Sequence, residues 1–472
     1  ESGLSTQVMI ARLLTVSTLF TVCQSIIDPR SVLDSLPTYK NYTEMRKKYF
    51  DIIRDYPYGD PDFRCAPMEP TPGGPKDAHQ LRPSDIRVIA AIGDSLTAGR
   101  EALTEATINF GTEYRGISFD AGADEKLATR ATFPNILSNF SPSLVGGSHG
   151  TRKGKIVMDR GDPSTDFNVA VSGSFSTDLM DQVAELEKRL KSSKSVNFGE
   201  DWKLITLFVG SNDLCKYGTD NTTDYSPEAF VDRVNETLTF IKERIPRSFV
   251  NLMPPFNVFV LNETHESAPF CEQFHHIACP SLFTLTPEEG SSLFNRYYEG
   301  LLDLPKTFND DGFAVTVNRA LNMQRLPQIW GTPHYALLAV DCFHFSGFTH
   351  DVAAKLVWQN LIKPENARGD ANDFASLQLQ SVECPSEMCP YLQSNLTDCA
   401  STKPAPRVLV DSHLVAGGNS KPAAVLAIFG IFMGCTLLAV GTIATIVRFR
   451  RRYKRRMNER TPLLTAHYYE IF

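Results

Sequence analysis

Four short stretches of this chain carry side chains able to do chemistry together. The first is Gly93-Asp94-Ser95-Leu96-Thr97-Ala98-Gly99, which follows an apolar run over 86–92 that reads as a buried strand. Gly93 lets the backbone turn, and a serine at the carboxyl end of a strand points its hydroxyl into the crevice above a sheet. The second is Asp341-Cys342-Phe343-His344. His344 is placed to take a hydroxyl proton, and Asp341 to accept from the other ring nitrogen and stabilise the imidazolium. The remaining two supply donors for a developing oxyanion: the backbone N–H of Gly173, and the side-chain amide of Asn212 in Gly210-Ser211-Asn212-Asp213. That is the equipment of acyl transfer through serine. Each part also has a plain reading. Gly173 suits a turn, Asn212 a helix cap, and His344 a loop that leads into a helix.

Such groups meet only if separate strands end side by side. Runs at 168–171, 204–209, 249–252 and 313–317 read as further strands. Between them, Leu179, Val183, Leu186 and Leu190 mark one helical face, and Phe230, Val234, Leu238 and Ile241 mark another within 227–244. A last helix is expected over 346–361, whereas 101–165 is loop-rich. Strands alternating with helices predict an α/β fold with a parallel sheet covered on both faces.

The whole set of stretches resembles the GDSL, or SGNH, hydrolase superfamily. Gly93-Asp94-Ser95-Leu96, Gly173, Gly210-x-Asn212-Asp213 and Asp341-x-x-His344 match its four blocks in order. Tyr114-Arg115-Gly116, Pro134-Asn135-Ile136-Leu137, Asp201-Trp202-Lys203 and Asn212-Asp213-Leu214-Cys215 are similar to its phospholipase B branch, over about residues 40–400. The resemblance implies a three-layer α/β/α flavodoxin-like fold with a central parallel sheet. It also implies metal-independent, cofactor-free hydrolysis of acyl esters in phospholipids and lysophospholipids. In it Ser95, Asp341 and His344 are catalytic, and the Ser95 amide joins Gly173 and Asn212 in the oxyanion hole. Small or neutral-lipid esters are the rival substrates, and a catalytically silent surface receptor is the rival function. The sequence departs from the branch at Ser174, Ser211 and Arg100-Glu101, the last standing where glycine is frequent.

A net charge of −7 gives no reason to expect nucleic acid. Eight of the ten cysteines lie between two apolar segments, an even number that suits a disulfide framework in an oxidising compartment. Zinc is the rival, but no Cys-x-x-Cys pair occurs. Sequons at Asn41, Asn139, Asn221, Asn235, Asn262 and Asn395 agree with a luminal or extracellular face. Cys342 reads as a disulfide partner that holds the Asp341–His344 loop, in preference to a second nucleophile. Cys271 and Cys279 suggest a local bridge, although spacing does not fix pairings. His265, His275 and His276 have no ligand spacing and read as loop residues.

The expected order is a signal peptide region at 1–25, an N-terminal extension at 26–84, the hydrolase domain at 85–364 and a cysteine-containing stalk at 365–422. Residues 423–447 are apolar and uncharged, long enough for one C-terminal transmembrane helix. Arg448, Arg450, Arg451, Arg452, Lys454, Arg455 and Arg456 follow, which places 448–472 in the cytoplasm of a single-pass type I protein. In that tail Glu459, Leu463 and Leu464 resemble an acidic dileucine signal, and Tyr468 and Tyr469 begin tyrosine-type signals for sorting adaptors. The expected location is the plasma membrane, with the ectodomain outside and cycling to endolysosomes.

Overall fold

Strand β1, Ile86–Gly93, lies beside β2, Trp202–Phe208, followed by β3, Ser248–Met253, and β4, Phe313–Val317. All three pairings are parallel, with Gly93 opposite Phe208, Phe208 opposite Met253 and Leu252 opposite Val317. This is a computed structural model, and it describes residues 33–105, 109–153, 165–219, 222–308, 310–368 and 381–399. Nearly every sheet residue is buried, as a parallel sheet covered on both faces requires.

The expected strand at 168–171 forms only in part. It runs along the free edge of β1, where Val169 N–H donates to Ala91 O at 2.9 Å and Val171 N–H to Gly93 O at 3.2 Å. Arg115 serves its outer side, where no further strand pairs among the described residues. Its guanidinium donates to the carbonyls of Asn168 at 3.1 Å and Ala170 at 2.7 Å, and it is paired with buried Glu113 at 2.9 Å. Counting this edge segment as second in the chain, the spatial order is 2-1-3-4-5, that of flavodoxin-like folds. Their ligand crevice opens at the carboxyl ends of the strands where the order reverses.

The principal helices are α1 (Pro37–Ile52), α2 (Leu179–Ser192), α3 (Ser211–Lys216), α4 (Pro227–Arg244), α5 (Pro269–Ala278), α6 (Pro287–Leu302) and α7 (Gly347–Ile362). The two sequence-read faces are the buried faces of α2 and α4. Ser226 caps α4 from its side-chain oxygen, with proline in the first turn. Ser346 caps α7 in the same way.

Two segments read as appendages pack on this core. Helix α1, within the expected extension, buries Tyr39, Tyr42 and Tyr49. Part of the expected stalk, 381–399, folds back. Cys384 is bonded to Cys65, and Leu392 is fully buried, its N–H donating to Leu81 O at 2.7 Å. The eight cysteines form four bridges, Cys65–Cys384, Cys215–Cys279, Cys271–Cys342 and Cys389–Cys399. Cys271 and Cys279 therefore do not pair with each other. They sit at opposite ends of α5, where a helix holds them too far apart to bond. Among the described residues no helix is long and apolar enough to cross a membrane. The expected leader at 1–25, the span at 423–447 and the tail residues Glu459, Leu463, Leu464, Tyr468 and Tyr469 lie outside them.

Candidate active site

Gly93 ends β1 under a steric demand. A Cβ there would meet Phe208 O at 2.4 Å and Thr97 Oγ1 at 2.5 Å. The chain then turns through Asp94 and Ser95, with Ala98 N–H donating to Asp94 O at 3.0 Å and Leu96 N–H to the Asp94 carboxylate at 2.9 Å. Burial pushes the Asp94 carboxyl up to about 7. Glu101, one of the two residues that depart from the resembled branch here, adopts a left-handed φ of 58°. Its N–H donates to Thr112 O at 2.8 Å, and its carboxylate accepts the Gly111 N–H at 2.5 Å.

The structure brings Ser95, His344 and Asp341 into one line. Ser95 Oγ is 2.8 Å from His344 Nε2, and His344 Nδ1 is 2.5 Å from Asp341 Oδ2. Asp341 Oδ1 also accepts the N–H groups of Phe343 and His344, each at 3.1 Å. Burial opposes ionisation of Asp341, but the His344 ring and these donors outweigh it and hold the carboxyl below the usual range. An ionised Asp341 accepts the Nδ1 proton, which leaves Nε2 to accept from the serine hydroxyl. All three side chains are nearly buried, so bulk water does not screen the line.

Gly173 and Asn212 stand at the same edge, beyond the two strand ends that flank β1. Gly173 follows Val171, which is bonded to Gly93, and Asn212 follows Phe208, the partner of Gly93 in the sheet. Gly173 has a φ of 85°, in a turn closed by Ser174 N–H donating to Val171 O at 3.1 Å. A side chain would be strained there. Asn212 Nδ2 donates to Ser174 O at 2.9 Å, which orients an amide that carries a second N–H. Its neighbour Asp213 is buried and accepts from Ser176 N at 3.0 Å and Ser176 Oγ at 2.5 Å, tying α3 to the Gly173 turn. Burial raises the Asp213 carboxyl to about 6.

Sequence reasoning missed the groups that hold this frame. Gln182 on α2 bonds both backbone groups of Gly93 and reaches Ser174 Oγ at 3.1 Å. From α1, Tyr42 Oη donates to Ala339 O at 2.7 Å and Arg46 Nε to Leu338 O at 2.9 Å, just ahead of Asp341. The buried tyrosines of α1 were the one signal available for it. Nothing in the sequence aims Gln182 at Gly93.

A family model described as GDSL-like Lipase/Acylhydrolase matches residues 89–357. The Mus musculus protein named "Phospholipase B1, membrane-associated" is 35% identical over 373 residues, 76% of this chain and 24% of that protein. Its Homo sapiens namesake is 33% identical over 346 residues, 71% of this chain and 23% of that protein. The Rattus norvegicus one is 32% identical over 373 residues, 76% and 25% of the two chains. This chain thus spans about a quarter of the length of these curated relatives. The family match covers more than half of the sequence and encloses the β1 turn, the Gly173 turn, Asn212 and the Asp341–His344 loop, so the chain belongs to the GDSL-like lipase/acylhydrolase family.

Proposed function

We propose that the chain is a membrane-tethered serine esterase that hydrolyses the acyl ester bonds of phospholipids and lysophospholipids. The observation that carries this reading is the Ser95 Oγ to His344 Nε2 distance of 2.8 Å, with Asp341 behind the ring. His344 takes the Ser95 proton as Oγ attacks the ester carbonyl carbon. The carbonyl oxygen becomes an oxyanion that accepts from the Ser95 and Gly173 amides and from Asn212 Nδ2. Collapse breaks the ester C–O bond, and His344 returns the proton to the departing alcohol. Water, deprotonated by His344, then frees the fatty acid and restores Ser95. No step calls for a metal.

The lipid class rests on likeness to relatives named for phospholipase B1. Tethering by 423–447, the leader at 1–25, the tail signals and a plasma-membrane location with endolysosomal cycling rest on sequence pattern. The four disulfides support exposure of the enzyme to an oxidising compartment. The test is the full chain in detergent, offered phosphatidylcholine, lysophosphatidylcholine and a short-chain ester, beside Ser95→Ala. Phospholipid and lysophospholipid turnover lost in the variant is the expected result. Turnover of the short ester alone would move the assignment to small esters, and turnover that survives in Ser95→Ala would end it.

A further inference from the structure

The loop that carries Asp341 and His344 is fastened to α5 at more than the disulfide. Cys342, between the two, has a φ of 62°, a conformation costly for a residue with a Cβ. Its sulfur is bonded to Cys271 in the first turn of α5, and its carbonyl lies 2.9 Å from Nε2 of His275, one turn further along. A carbonyl can only accept, so His275 Nε2 carries the proton and Nδ1 is an acceptor. His265 Nε2, 2.9 Å from that Nδ1, is then its donor, and its ring lies flat on Phe283. The tautomers of both histidines follow from the one carbonyl.

The same peptide unit faces the catalytic carboxylate. Its C=O, from Cys342, receives the His275 proton, and its N–H, from Phe343, donates to Asp341 Oδ1 at 3.1 Å. A peptide is planar, so fixing one end aims the other. The geometry points to His275 as a positioning residue for the catalytic base: by holding the 342–343 peptide it orients Asp341, and through Asp341 the ring of His344. The other end of α5 is tied as well, since Cys279 is bonded to Cys215 on α3, the helix that carries Asn212. Helix α5 is thus joined to both the base and an oxyanion donor. His275 is completely buried, and burial lowers it to about 4 while His265, His276 and Asp341 face it, so the neutral form this relay needs is the one present near neutral pH.

This inference rests on the Ser95 esterase reading, and its test separates the two. The full chain is compared as wild type, His275→Phe, His275→Gln and His265→Phe, with active sites counted by an organophosphonate label and folding followed by circular dichroism. His275→Phe is expected to lower kcat per labelled site by about 10–100-fold with KM within about twofold. Its acid-side half-activity point should move to lower pH, because a loosely held Asp341 stabilises the imidazolium less. His275→Gln, which keeps a donor near the ε position, should recover most of kcat. His265→Phe keeps the ring stack, removes the donor and should shift both readouts the same way by less; it decides the matter if His275→Phe does not fold. Folded variants with wild-type kcat and pH profile would overturn the positioning role, as would activity lost only in step with labelled sites. A wild type without esterase activity would instead defeat the function proposed above.

Discussion

Gln182 holds Gly93 by both of its backbone groups. The Gly93 N–H donates to Oε1, and Gln182 Nε2 donates to the Gly93 carbonyl, each at 2.9 Å. The two residues are 89 positions apart, and the contact fixes the point from which the chain turns into Ser95. Gln182→Leu leaves a buried N–H without a partner, while Gly93 O keeps the Val171 donor. The expected loss is about 2–3 kcal/mol in urea unfolding, with a fall in kcat larger than any change in KM. Unchanged stability would show that Gly93 needs no such clamp.

The oxyanion assignment predicts a loss confined to turnover. Asn212→Ala should lower kcat by about 10²–10³ with little change in KM, the cost of one donor to a transition-state oxyanion. Ser174 O loses its Asn212 partner too, so thermal melting must accompany the kinetics. A variant that melts early but turns over normally would reduce Asn212 to a structural cap.

Asp341→Asn tests the order of the line. An amide can present Nδ2–H to His344 Nδ1 and favour the wrong tautomer, so Nε2 would hold a proton when Ser95 needs an acceptor. A drop in kcat of about 10⁴ is expected, partly recovered as pH rises. A loss under tenfold would mean that Asp341 only shapes the loop.

Helix α1 lies outside the 89–357 family match, yet it holds the backbone ahead of Asp341. Tyr42→Phe removes the hydroxyl bonded to Ala339 O and should cost about 1 kcal/mol of stability, with a several-fold fall in kcat. Wild-type kcat in this variant would show that Arg46 suffices.

A buried neutral histidine is expected to weaken the fold on the acid side. Both ring nitrogens of His334 are buried without a hydrogen-bond partner among the described residues, and burial lowers it to about 4 from an ordinary 6.5. As pH falls through about 6.5 the unfolded chain takes the proton first. The contribution of neutral His334 is therefore complete above that pH and lost toward pH 4. His334→Phe should shrink the stability difference between pH 7.5 and pH 5 by roughly 1–2 kcal/mol. Asp94 and Asp213, raised by burial, act with the opposite sign in both proteins and cancel in the comparison. An identical pH dependence in the variant would refute the assignment.

Local pattern revealed what local pattern encodes. The apolar run before Ser95, the face of Pro227–Arg244 and the strand Phe313–Val317 were legible because period and burial coincide there. The edge segment 168–171 looked like a full strand because its side chains are apolar, but it pairs with β1 on one side only and a buried Arg115 serves its outer carbonyls. Helix α5 was hidden because its histidine and cysteines are buried through partners about 70 residues away, a relation with no local trace. Ser95, Asp341 and His344 were legible as types and spacing, and the structure brings them together. That Cys342 bonds a partner to hold this loop was legible too, but which cysteine it meets was not, nor were the His275 bond and the clamps on Gly93 and Ala339, since each is a contact between distant segments.

The most direct measurement is where a reactive ester analogue attaches. The full chain is treated with a fluorescent alkyl organophosphonate, digested and read by mass spectrometry, beside Ser95→Ala and Asp341→Asn. One adduct on Ser95, absent from Ser95→Ala and formed far more slowly in Asp341→Asn, is the predicted result. An adduct on another residue, or ester hydrolysis that continues with Ser95 unmodified, would contradict the account.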